Sequence, residues 1–118
     1  MNWVQQSEEV TDLYLYDYIS HEKSVDWETG EAGPEITAQE IIDQLAAVPT
    51  QEIVVHINSG GGDATEGVAI AQALKDARGK GKRISCQVDG LCASAAVNVA
   101  LACSPVRIPR NAYMMIHD

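Results

Sequence analysis

Gly60, Gly61 and Gly62 stand in a row, Ser94 follows 32 residues later, and His117 comes 23 residues after that. Three consecutive glycines leave the backbone uncovered by side chains. Their N–H groups can approach an anion closely, helped by a following helix N-terminus. Three readings fit: a phosphate site, an oxyanion hole for acyl transfer, or a plain tight turn from strand to helix. The phosphate reading lacks its usual company, since there is no Walker lysine and no G-x-G-x-x-G. Ser94 suits either the cap of a helix or a nucleophile that gains from the helix dipole and a nearby base. Cys92, two residues before it, is the rival nucleophile, although a small buried apolar role suits it better. His117 is a candidate general base, a hydrogen-bonded core histidine, or a surface residue at a strand end. His21, in an acidic stretch, and His56, inside an apolar run, have no comparable setting.

The elements that must position these residues are legible from pattern. Residues 13–19 (Leu-Tyr-Leu-Tyr-Asp-Tyr-Ile) alternate and are rich in β-formers, which predicts a strand. Ser20 to Pro34 is charged and turn-rich and reads as an exposed loop. Thr37 with Glu40 forms a capping box, followed by a helical stripe of Ile41, Ile42, Leu45 and Val48 that Pro49 stops. Residues 53–57 (Ile-Val-Val-His-Ile) suit a strand buried on both faces, as in a parallel sheet. After the glycines, Asp63 with Glu66 reads as a second capping box. Val68, Ile70, Ala71, Leu74 and Ala77 make the next stripe, with Gly79 as its C-terminal cap. Arg83 to Asp89 is a third strand and Gly90 to Ala93 the turn out of it. Ser94 to Ala102, apolar almost all round, is a buried helix. Pro105 and Pro109 bracket a connection to a fourth strand over 113–117. Strand, helix, strand, helix, strand predicts right-handed crossovers and a parallel α/β sheet. In such a sheet, reacting groups gather beyond the carboxyl ends of the strands. The glycine turn, Ser94 and His117 all fall there.

The chain has 118 residues, 46% of them hydrophobic and 21% charged, which suits one globular domain. The net charge is −9. Residues 1–35 hold nine acids and one base, so nearly all of the excess sits there. A basic face for a phosphate backbone is missing, which argues against nucleic-acid binding. No apolar run has the length of a membrane helix, and no secretory signal is visible. Cys86, Cys92 and Cys103 lack metal-ligand spacing and read as buried small apolar residues in a reducing compartment.

Three stretches together resemble a known family. Residues 57–63 (Ile-Asn-Ser-Gly-Gly-Gly-Asp), 88–96 (Val-Asp-Gly-Leu-Cys-Ala-Ser-Ala-Ala) and 114–117 (Met-Met-Ile-His) look like the successive signatures of Clp-type serine proteases. The wording is most similar to the phage and prophage head-maturation (prohead) branch. Typical members show asparagine-serine-proline-glycine-glycine, then a glycine with small residues before the nucleophilic serine, then methionine-isoleucine-histidine. The resemblance runs from Ile53 to His117, and the first 35 residues match loosely.

The resemblance implies a spiral of ββα units around a mainly parallel sheet, shared with the crotonase superfamily, with its C-terminal part beyond residue 118. Composition and pattern make residues 1–35 an acidic N-terminal strand and exposed loop, and the resemblance implies the start of the peptidase domain over 36–118. Ser94 is then the nucleophile and His117 the base. The N–H groups of Gly62 and Ala95 form the oxyanion hole, and Gly60 and Gly61 lie beside the extended peptide. Neither cofactor nor metal is implied. The partners implied are a polypeptide substrate, other copies in a ring, capsid or portal proteins, and an unfoldase. Nucleic acid and membrane are not among them, and the place is the bacterial cytoplasm or the phage prohead. The family's proline is Gly60 here, which predicts a looser turn, and a usual alanine is Cys92. The aspartate that orients the histidine is expected beyond Asp118. Asp118, next to His117 in a strand, is expected to face the other way. On that count the chain as it stands is expected to be nearly inactive. The other classes weighed are a non-catalytic Clp-like assembly protein, a crotonase-like acyl-CoA enzyme and a serine-lysine peptidase.

Overall fold

A computed structural model of the chain describes residues 3–6 and 9–115. Its nine elements are β1 (Trp3–Gln6), β2 (Val10–Leu15), α1 (Ala38–Ala47), β3 (Glu52–Ser59), α2 (Ala64–Gly79), β4 (Arg83–Ala93), α3 (Ala95–Leu101), β5 (Val106–Arg107) and β6 (Tyr113–Met115). The six strands form one sheet in the order β1-β2-β3-β4-β5, and β6 pairs with β4 further along that strand. The β1–β2 pair is antiparallel, and every other named pair is parallel. This is the mainly parallel α/β sheet that the alternation of strand and helix patterns predicts.

One face of the sheet carries the core. Leu13 and Leu15 of β2, Ile53, Val55 and Ile57 of β3, and Ile84, Cys86 and Val88 of β4 are all buried. Ile41, Ile70, Leu74, Val97 and Val99 from the three helices close over them. The residues between them in β2 to β4, among them Asp12, Tyr14, His56, Gln87 and Asp89, line the opposite face. The expectation of a strand buried on both faces at 53–57 therefore holds for one face only. Charge and position also part company in the first 35 residues. β2 lies inside the sheet, while nearly all of residues 20–35 lie on the surface.

The helix starts follow the capping signals in half. Thr37 accepts from the Glu40 N–H at 3.2 Å, and Asp63 from the Glu66 N–H at 3.1 Å. The reciprocal bonds are replaced by tertiary ones. Glu40 pairs with Lys23 at 3.0 Å, and Glu66 accepts from the Ala38 N–H at 3.1 Å, joining α2 to the start of α1. Three boundaries differ from expectation. The strand expected over 13–19 is β2, which runs Val10–Leu15. The left-handed residue after α2 is Gly81 (φ 101°), and Gly79 is the last helical residue. Gly90 to Ala93 is the end of β4, its ladder with β3 shifted in register beyond Ile57. Ile42 and Val68, placed in the apolar stripes by pattern, are exposed. No described helix is long and apolar enough to cross a membrane.

Candidate active site

The ends of β3 and β4 are tied together by side chains that the glycine motif supplies. Asn58 Oδ1 accepts from the Leu91 N–H at 3.0 Å. A Cβ on Gly90 would stand 2.7 Å from that same oxygen, so the bond needs glycine there. Ser59 Oγ donates to the Asp17 carbonyl at 2.7 Å and accepts from the Gly61 N–H at 3.1 Å.

The turn is anchored along one edge. The Ile19 N–H donates to the Gly61 carbonyl and the Asp63 N–H to the Ile19 carbonyl, both at 2.8 Å. Groups alternate along an extended segment. The Gly62 N–H and C=O thus face away from Ile19, toward the open edge. Gly62 is exposed, and its N–H has no partner among the described residues. Gly61 (φ 98°) and Gly62 (φ 135°) occupy backbone that L side chains rarely adopt.

Ser94 sits where β4 hands over to α3. It occupies the cap position, with φ 54° and ψ −123°, and is the only described non-glycine residue with positive φ. Its hydroxyl makes no capping bond. The capping reading thus holds for position and fails for the hydrogen bond that would justify it. A serine held in a sparsely populated backbone state without a local reason is a mark of functional strain, as in the sharp strand-to-helix turns that carry nucleophiles.

The turn and the serine are in contact. A Cβ on Gly61 would meet the Ala93 carbonyl and Ser94 Cβ at 2.6 Å each, and the Ala95 nitrogen at 3.1 Å. In α2, a Cβ on Gly67 would stand 2.9 Å from Ala95 Cβ, so a bare helix face lets α3 come close. The structure therefore brings Gly60, Gly61, Gly62, Ser94 and Ala95 to one place. His117 lies outside the described residues, as does Asp118.

Cys92 is fully buried, and burial pushes its thiol up to about 11. A neutral thiol is a poor nucleophile, which supports the packing role expected of it. Cys86 and Cys103 are buried as expected, but they are not free thiols. They form a disulfide across 17 residues that joins β4 to the end of α3. Sequence alone did not signal this pairing. Among the described residues, no group of His, Cys, Asp and Glu could hold a metal ion.

A family model described as Clp protease matches residues 7–118. The chain belongs to the Clp protease family. Solved structures agree with this. The ClpP protease catalytic domain from Plasmodium falciparum is 25% identical at a TM-score of 0.64, over 93% of this chain and 55% of that one. The ClpP1 N165D mutant from Listeria monocytogenes is 20% identical at a TM-score of 0.53, over 90% and 55%. The same fold extends to an enoyl-CoA hydratase from Polaromonas sp. JS666, 20% identical at a TM-score of 0.66 over 96% and 49%. The Clp-like and crotonase-like fold expected from the motifs is thus present. This Clp-family chain spans about half the length of the solved structures it matches. Among curated proteins, none matches it significantly.

A further constellation lies on the sheet face opposite the core. His56 bridges Asp12 (Nε2 to Oδ1, 2.9 Å) and Asp89 (Nδ1 to Oδ2, 3.0 Å), and Tyr16 donates to the same Asp89. The signal was the alternation that sets positions 12, 56 and 89 on one face of three adjacent strands.

Proposed function

We propose that this chain carries the nucleophile and oxyanion hole of a serine endopeptidase acting on polypeptides. Ser94 Oγ attacks the scissile carbonyl carbon, and His117 takes its proton. The N–H groups of Gly62 and Ala95 receive the oxyanion, while Gly60 and Gly61 border the extended substrate. Collapse of the tetrahedral species expels the amine, which takes the proton from His117. Water then releases the acyl group from Ser94 by the same steps. The observation that carries the reading is Ser94 itself: positive φ, a hydroxyl free of capping, and Gly61 against it.

His117 is two residues beyond Met115, whose partner in β4 is Ala93, the residue before Ser94. Family membership supports the peptidase class. Phage capsid or scaffold proteins as substrates, a ring of identical subunits, and docking to portal or unfoldase proteins belong to the same proposal, on motif resemblance. So does a cytoplasmic or prohead setting.

A fluorophosphonate probe on a full-length parent tests it, since these 118 residues alone are expected to be nearly inactive. The expected result is one adduct on Ser94, absent in Ser94→Ala and lost as pH falls and a histidine-like group protonates. Labelling that persists in Ser94→Ala would falsify the assignment. A crotonase-like acyl-CoA activity shares the fold but has no need of a serine at this strained position. Tight binding of a CoA ester with no adduct on Ser94 would favour it.

A further inference from the structure

Gly60 opens the glycine turn, and the space beside it is filled. A Cβ on Gly60 would stand 3.2 Å from Tyr18 Cε1 and 3.7 Å from its Cζ and Oη. The ring therefore lies on the side of Gly60 that a side chain would use. Tyr18 is 63% exposed, so the core does not hold it there. Its root is nevertheless fixed. The Tyr18 carbonyl accepts from the Ile36 N–H at 2.8 Å, and its N–H donates to Asp17 Oδ1 at 2.7 Å. On either side, Asp17 is bonded to Ser59, and Ile19 to Gly61 and Asp63. The ring has no aromatic or polar partner among the described residues.

Three consecutive glycines have the widest backbone freedom a chain can offer. Donors for a transition state need placement within about 0.5 Å. A proline at position 60 would restrict the turn from within, and this chain has none there. We propose that Tyr18 does so from outside. It is a positioning residue whose ring fills the side-chain space of Gly60. It limits the swing of residues 60–62 and so keeps the Gly62 N–H aimed at the open edge. The purpose rests on the peptidase reading, while the positioning does not.

The test is amide hydrogen exchange by NMR on this chain, with fluorophosphonate labelling of a full-length parent measured in parallel. The informative amides are Gly61, bonded to Ser59 Oγ, and Asp63, bonded to the Ile19 carbonyl. Tyr18→Ala is expected to speed their exchange by roughly 3- to 10-fold, the range for loss of one aromatic contact in a locally opening segment. Labelling of Ser94 is expected to slow by a similar factor. Tyr18→Phe keeps the ring and is expected to match the wild type in both readouts. Unchanged exchange in Tyr18→Ala overturns the proposal. So does a Tyr18→Phe variant that behaves like Tyr18→Ala, because the hydroxyl is then the acting group. If Tyr18→Ala does not fold, Tyr18→Leu against Tyr18→Phe carries the same comparison, and equal exchange overturns it. If Ser94 never labels while Tyr18→Ala still loosens the two amides, the positioning role stands and the peptidase reading falls.

Discussion

Gly61 and Ser94 share one space: a side chain on Gly61 would have to stand 2.6 Å from Ser94 Cβ. The contact joins the end of β3 to the start of α3. It is made by two residues that both hold positive φ, Gly61 at 98° and Ser94 at 54°. One of them tolerates that backbone freely, and the other is strained by it. The elbow at Ser94 and the glycine turn are thus a single packed unit.

Gly61→Ala is therefore predicted to be costly. The new methyl meets the Ala93 carbonyl oxygen as well as Ser94, and backbone cannot swing aside as a flexible side chain can. A loss of about 2–4 kcal/mol is expected from overpacking and backbone strain together. Urea denaturation measures it. Gly30 has φ 75° and nothing near its missing Cβ, so Gly30→Ala is the control that separates strain from collision. It should cost only about 1 kcal/mol. Equal losses in the two variants would refute the collision.

Cys92 is predicted to stay protonated and slow to alkylate at neutral pH. Burial raises its thiol from 9.0 to about 11. The unfolded thiol ionises near 8.5, so above that pH the unfolded chain binds fewer protons than the folded one. The contribution of Cys92 to stability is complete below about pH 8.5 and is lost as pH rises toward 11. Urea midpoints at pH 7.5 and 10.5 should fall further in the wild type than in Cys92→Ala. Equal falls would show that this thiol is not shifted. The fluorophosphonate adduct on Ser94 should survive Cys92→Ala.

The disulfide between Cys86 and Cys103 encloses β4 from Cys86 onward, Ser94 and α3 in one covalent loop. Closing a loop of this length removes entropy from the unfolded chain, a stabilisation of about 3 kcal/mol in the loop-entropy description. Reduction should lower the urea midpoint accordingly. Intact-mass analysis after alkylation should find one thiol, Cys92, without reductant and three with it. Three alkylated thiols in the unreduced, denatured chain would contradict the pairing.

Much of this architecture was readable because period and punctuation agree. Ile41 and Leu45, or Ile70 and Leu74, fall on one helix face, and Thr37 and Asp63 mark the starts. The rest is tertiary in origin. β1 pairs with β2 although its sequence, Trp-Val-Gln-Gln, has little strand pattern. Gly90 reads as a turn residue, yet it is extended because Asn58 reaches across to the Leu91 N–H. An odd cysteine count hid a pair, since pairing depends on where β4 and the end of α3 meet. Ser94 is legible as a candidate from spacing, but its strained backbone and its missing capping bond are not, because neither has a sequence signature. By pattern His56 is only a residue inside a strand. Its partners lie 44 and 33 positions away and become neighbours only across the sheet.

That histidine supports the last prediction. His56 of β3 bonds to Asp12 of β2 on one side and to Asp89 of β4 on the other, and Tyr14 stacks on its ring at 4.5 Å and 12°. It pins three parallel strands on the face that no described helix covers. The three side chains keep between 15% and 33% of their surface, so solvent screens the pairs only in part. His56→Ala removes both bonds and the stacked ring, and leaves two carboxylates without their shared partner. The expected cost is about 2 kcal/mol, most of it from the unmet acceptors. Asp89→Asn keeps the shape and weakens one bond to His56 and one from Tyr16, so about 1 kcal/mol is expected. A double-mutant cycle between His56→Ala and Asp89→Ala should return a coupling of about 1 kcal/mol, smaller at high salt. Asp12 and Asp89 sit on the face opposite the core helices, so Ser94 labelling should hold in each folded variant. A coupling near zero would mean that the strands are held by their ladders alone, with His56 a passenger.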